Sequence, residues 1–282
     1  MYNDVMPNDL NNFRKNIYTN SGVKPCPGYG EDGVLIEIFR QIGVSQKPLC
    51  VEFGELRVLG TTTRSFRIKY CAKALYFSGS MDFRSRYLNF LDICKITFNS
   101  KNVKFMKFLG NQPKKLFAST KNISEIVRKF SRSNEIDLFV IDIDSFDFEI
   151  VYELLASRIR PRVLIVEYNP SIPKNKSLYW TAMNTKTNSI NSRLYGASYE
   201  AWEKLMKTYG YSLVHVSGFC NLHYIRGDIK HNFVKPNIEK EITDTNEKVL
   251  LFAEKYCLPG FQPSWLSYPY LNESEVGSLK PY

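Results

Sequence analysis

Metal-binding side chains are scarce in this chain. It has three histidines, and its six cysteines (Cys26, Cys50, Cys71, Cys94, Cys220, Cys257) include no Cys-x-x-Cys pair. That spacing argues against a zinc knuckle and a disulfide scaffold, and leaves ordinary reduced core cysteines. No apolar run approaches the ~20 residues of a membrane span. The opening residues, Met-Tyr-Asn-Asp-Val-Met-Pro-Asn, are polar where a signal peptide has its apolar segment, so a cytoplasmic protein is expected. No serine nucleophile elbow, Walker loop or internal repeat is present.

Acidic residues are the minority: 28 against 38 basic ones, for a net charge of +10 and a pI of about 9.2. This balance favours an anionic partner, whether nucleic acid, nucleotide, phosphorylated sugar or membrane surface, although a solubilising lysine-rich surface accounts for it as well. What the chain does have is apolar content of 44% with 14% aromatics, enough for a packed core over 282 residues. One large domain with appendages is the expected organisation.

Residues 1–27 read as a loose lead-in, rich in Asn, Pro and Gly. Asp32 then caps an expected helix with the apolar face Val34, Leu35, Ile38, Phe39 and Ile42, closed by Gly43. Strands and helices alternate from there, the signature of a parallel α/β sheet. Strands are expected at Leu49 to Phe53, Ala74 to Phe77 and, more weakly, Val103 to Met106. The helices between and after them run from Thr62 to Tyr70, through Tyr87, Leu88 and Leu91, and, beyond a basic loop holding Lys114 and Lys115, through Ile123, Ile126, Val127 and Phe130.

The stretch from Ile136 to Asn169 carries the chemistry. Two β-branched runs, Ile136 to Ile143 and Arg162 to Val166, end in acids or amides, with Ile150, Val151, Leu154 and Leu155 at helical spacing between them. This is a β-α-β unit with its polar groups at the carboxyl ends of the strands, the edge at which open parallel sheets bind ligands. Residues 170–195 form a long irregular insertion beyond that edge, read either as a substrate lid or as a surface loop. A helix opening at Ser198 with Trp202, Leu205, Met206 and Tyr209 on one face follows, then strands Tyr211 to Val216 and Leu222 to Arg226 as an antiparallel pair. The domain so read spans 28–230. Residues 231–282 hold a charged helix from Ile238 to Tyr256 and an aromatic, Pro-rich tail that packs back on the domain or docks a partner.

In order, Glu31-Asp32-Gly33, Val51-Glu52-Phe53-Gly54, Thr63-Arg64, Gly79-Ser80, Asp142-Ile143-Asp144 with Asp147, Glu167-Tyr168-Asn169-Pro170 and Gly196-Ala197-Ser198 resemble the FkbM-like S-adenosylmethionine-dependent methyltransferases. The resemblance covers roughly 27–228. It implies a Rossmann-like, mostly parallel seven-stranded sheet of order 3-2-1-4-5-7-6, flanked by helices and with one antiparallel strand. It also implies an O-methyltransferase acting on a sugar or other small anionic acceptor. Two positions depart from the family's pattern. The turn after the first strand reads Gly54-Glu55-Leu56-Arg57-Val58-Leu59-Gly60, with Arg57 where the resemblance suggests Asp, and Ser78 stands where an acid would hold the ribose hydroxyls. Hydrogen bonds to charged groups contribute ~1.5–3 kcal/mol each, so the alternative is a catalytically inactive descendant that binds RNA or a protein through its basic surface.

Under the resemblance, Asp142 and Asp144 are the candidate catalytic acids, sharing a face if strict strand alternation persists. Glu31, Asp32, Glu52, Gly54, Ser78 and Gly79 line the S-adenosylmethionine pocket, and Asp144, Glu167 and Asn169 are candidate Mg²⁺ ligands. Asp147, Tyr168 and Tyr195 face the acceptor, with Trp180 near them. Each has a plain structural reading: helix capping for the acids, a buried hydrogen-bonded carboxylate for Glu52, core packing for the aromatics. His215, His223 and His231 form no ligand set.

Overall fold

The computed structural model describes residues 31–54, 61–78, 114–115, 119–132, 135–173, 175–181, 194–217, 220–237 and 273–282. The lead-in, the helix through Tyr87, the strand at Val103 to Met106, the Arg57 turn, Gly79 and the helix from Ile238 lie outside these residues.

Seven strands form one sheet. They are β1 (Leu49–Phe53), β2 (Lys73–Ser78), β3 (Lys114–Lys115), β4 (Leu138–Ile141), β5 (Val163–Glu167), β7 (Tyr211–Ser217) and β8 (Asn221–Arg226), in the order β3-β2-β1-β4-β5-β8-β7. A second, two-stranded sheet joins β6 (Leu178–Tyr179) to β9 (Lys280–Pro281). Setting β6 aside, this is the order and the single antiparallel strand that the resemblance implies, since β8 runs antiparallel to both β5 and β7. Two expectations are corrected. Lys114 and Lys115, read as a loop, pair with Phe77 and Ser78 as the edge strand, and two lysines carry no apolar pattern to announce it. His223, on a strand whose place at the end of the chain's strand run suggests a sheet edge, lies on β8 between β5 and β7, inside the sheet.

The central strands are buried along their length, as parallel strands covered on both faces must be. One face packs Val51, Phe53, Phe139, Ile141 and Leu164 under α3 (Ile123–Ser131), α4 (Asp147–Ala156) and α5 (Tyr199–Thr208). The other packs Cys50, Leu138, Val140 and Ile165 under α1 (Glu31–Ile42) and α2 (Arg64–Tyr70). The α1 face is the expected one, Val34, Leu35, Ile38 and Phe39, and Gly43 at φ +65° closes it. Asp32 sits inside the first turn, because the helix already starts at Glu31. A short α6 (Glu273–Gly277) precedes β9.

The edge opposite the acids is locked by Asp137. Fully buried, it accepts hydrogen bonds from Ser45 N, Ser45 Oγ and Leu49 N and pairs with Arg162 at 2.8 Å; Arg162 also donates to the Ile42 and Gly43 carbonyls at the end of α1. Removing one member of a buried pair leaves the other charge uncompensated. Asp137→Ala is therefore expected to lose ~3–5 kcal/mol in urea denaturation, and a loss under 1 kcal/mol would show the network to be dispensable.

Candidate active site

The chain leaves β4 at Ile141 and turns at once. Asp144 takes a left-handed conformation, φ +52°, which costs an L-residue about 1–2 kcal/mol unless its surroundings hold it. The holding group is Asp147, whose buried carboxylate accepts the amides of Ile143 at 2.8 Å and Ser145 at 3.0 Å. Asp147, expected to face the acceptor, holds these loop amides instead, and burial pushes its carboxyl up to about 6 against their pull.

The turn places Asp142 and Asp144 beside Glu167 at the end of β5. One carboxylate oxygen from each of the three lies within 4.8 Å of the others. Strand alternation does not bring the two aspartates together, because the strand has already ended; the Asp144 turn does. Asp142 and Asp144 stay open to solvent while protein surrounds most of each carboxylate. Burial, then the Glu167, Asp144 and Asp147 charges, hold the Asp142 carboxyl well above the ordinary aspartate range. Burial likewise pushes Glu167 up to about 7, opposed by a hydrogen bond from the Cys220 thiol. Asp142 and Glu167 lie close enough for the ionisation of each to disfavour that of the other, so they titrate as a pair.

The amide of Asn169, expected as a metal ligand, is engaged by backbone. Its Nδ2 donates to the Tyr195 carbonyl at 3.0 Å and its Oδ1 accepts from Ser171 N, so its amide fixes the two ends of the insertion, while Asp142 completes the oxygen set. Tyr168 is buried edge-on to Tyr199, and its hydroxyl has no partner among the described residues. Trp180 is buried too, so neither ring offers a face to an acceptor. Burial and then the charges of Glu167, Cys220, Asp144 and Asp142 raise the Tyr195 phenol well above the ordinary range. The residue missed from sequence is Cys220, whose Sγ–H donates to Glu167 Oε1 at 2.8 Å. It lies 53 positions from Glu167, and only the adjacency of β5 and β8 could have revealed it.

On the donor side, Glu52 accepts from Thr62 N, Thr63 N and Thr63 Oγ1, so its carboxylate anchors the chain entering α2. Tyr76 Oη links this cluster to the buried guanidinium of Arg67. The structure thus gives Glu52 the role of a buried, hydrogen-bonded acid. Gly54, at φ +120°, packs against the Asp142 backbone, and its amide donates to the Phe77 carbonyl at 3.1 Å. β1, β2 and β4 end together there, with Ser78 closing β2. The strand order reverses between β1 and β4, where open α/β sheets form a ligand crevice.

His215 and His223 are buried on the α1–α2 side, their ring centroids 5.7 Å apart, with Ser217 Oγ at 2.6 Å from His223 Nε2. No helix among the described residues is long and apolar enough to cross a membrane. Comparison with protein families matches residues 54–213 to the methyltransferase FkbM domain. No curated protein sequence matches the chain.

Proposed function

Because this chain belongs to the FkbM methyltransferase family, we propose that it transfers a methyl group from S-adenosylmethionine to a hydroxyl of a sugar or another small anionic acceptor. The observation that carries this reading is the convergence of the Asp142, Asp144 and Glu167 carboxylates within 4.8 Å at the ends of β4 and β5, where burial brings Glu167 to about 7. A general base works best when its pKa lies near the operating pH, and ordinary surface carboxylates lie far below it. When the Asp142–Glu167 pair is ionised, one of its carboxylate oxygens would take the proton of the acceptor hydroxyl and leave that oxygen nucleophilic. Tyr195 borders the acceptor, and Asp147 keeps Asp142 and Asp144 in place through the loop amides.

Gly54, Ser78 and Gly79, with Glu31 and Asp32 from α1, are the residues that would hold S-adenosylmethionine, which when bound supplies an electrophilic methyl group on sulfonium. Asp142, Asp144 and Glu167 also make the all-oxygen set that a Mg²⁺ ion prefers, and such an ion would lower the acceptor hydroxyl's pKa.

A second reading is a non-enzymatic module that binds RNA through the basic surface, supported by Arg57 in the donor turn and the net charge of +10. Calorimetry with millimolar S-adenosylhomocysteine separates the two. Saturable heat is expected. Absence of heat and of any thermal shift, together with RNA retention that falls steeply with salt, would replace the enzyme by the binding module.

A further inference from the structure

We infer that residues 279–282 are a positioning clasp for the acceptor edge, holding the insertion after β5 against the loop that carries Asp142 and Asp144. A two-residue strand such as β6 has no stability of its own. Here β9 supplies its partner, with Leu178 opposite Pro281 and Tyr179 opposite Lys280, and Tyr282 N donates to the Ser177 carbonyl at 2.9 Å. Leu279 is buried with Trp180 and Ile172 in an apolar cluster separate from the two sheet faces.

Two routes lead from this clasp to the acids. Along the backbone, Trp180 N donates to Gly196 O at 2.8 Å and Gly196 N donates to Ser145 O at 2.6 Å, and Ser145 adjoins Asp144. Through side chains, the Tyr282 ring lies 4.9 Å from Phe148, the residue after Asp147, and 6.4 Å from Tyr179. Thr181 Oγ1 adds a tie to Glu149 of the same helix at 2.6 Å. None of these contacts involves β1 or β2. The clasp therefore tunes the acceptor half and leaves the donor half alone, so that residues far along the chain position Asp144 without touching any reacting group. Only the kinetic consequence rests on the methyl-transfer reading.

Hydrogen exchange on the full chain tests this, with Leu279→Asp, Tyr282→Ala and the conservative Tyr282→Phe. The Trp180, Gly196 and Ser145 amides are expected to exchange at least tenfold faster in the first two variants and as in the wild type in the third. The Gly54 and Asp142 amides, bonded to Phe77 and Phe53, should be unchanged. S-adenosylhomocysteine affinity should also hold, while the KM for the acceptor rises without a matching fall in kcat. Exposure of the Tyr282 amide with Gly196 and Ser145 still protected would overturn the clasp. Should Leu279→Asp unfold the whole chain, Tyr282→Ala decides by the same amides. Failure of every form to bind S-adenosylhomocysteine would overturn the proposed activity, and the exchange pattern would still decide the clasp.

Discussion

Asp142→Asn is expected to gain stability and lose methyl transfer together. At pH 8, with divalent cations chelated, the folded state should gain up to about 1 kcal/mol, solvent at the exposed Asp142 screening part of the repulsion, while the transfer rate falls by roughly 10²–10⁴. The pH dependence identifies the cause. Asp142 and Glu167 are both raised in the fold, so between the ordinary carboxylate range near ~4 and about 7 the folded state binds more protons than the unfolded chain. Stability contributed by the pair is therefore lost as pH rises through that window. The variant removes one of the two negative charges, and its amide can still donate to Glu167. Its advantage should vanish below pH 4 and grow as pH rises and the Asp142 carboxyl of the wild type is forced to ionise. His223 works in the opposite direction. Burial and then the His215 charge hold its imidazole well below the ordinary value, so stability is lost as pH falls below ~6.5. That contribution is common to both proteins and cancels in their difference. Urea denaturation at pH 4, 6 and 8 measures the difference, and a variant less stable than wild type at pH 8 would show that the Asp142 carboxylate makes net favourable contacts and is not a strained functional group.

The scaffold of this site was legible because its signals are local. Runs such as Leu49–Phe53 and Val163–Glu167 are too apolar for any place but the middle of a covered sheet, and Ile150, Val151, Leu154 and Leu155 mark a helix between β4 and β5. The acids at the strand ends were legible for the same reason. Their detailed roles were not, since each depends on a partner distant in sequence or on a backbone turn. Asp144 meets Asp142 and Glu167 through a left-handed residue that no apolar period records. An acid followed by Phe-Gly looks alike whether it faces a ligand or, as Glu52 does, caps Thr62 and Thr63 ten residues on. Asn169 and Tyr168 follow Glu167 in sequence, but the Asn169 amide bonds backbone at both ends of the insertion and the Tyr168 ring is buried against Tyr199, which their position in sequence does not reveal.

Gly54→Ala is expected to be the most damaging single substitution at the site. A Cβ built there would lie 1.5 Å from the Asp142 carbonyl oxygen and 2.6 Å from its carbon, both backbone atoms. No rotamer relieves that collision, so the ends of β1 and β4 must separate, breaking the Asp142 N to Phe53 O bond and displacing the acids beyond it. Loss of more than about 4 kcal/mol is expected, against a total of about 5–15 for a typical domain. Gly43→Ala is the control. It too has a positive φ, +65°, but nothing lies within 4 Å of its added carbon, so it carries only the left-handed strain of about 1–2 kcal/mol. If denaturant midpoints show the two variants equally mild, the close approach of the two strand ends is wrong. A large gap between them would give Gly54 a structural requirement independent of any cofactor. A glycine at this position then says nothing by itself about donor binding, and the S-adenosylhomocysteine titration becomes the measurement on which the donor half stands.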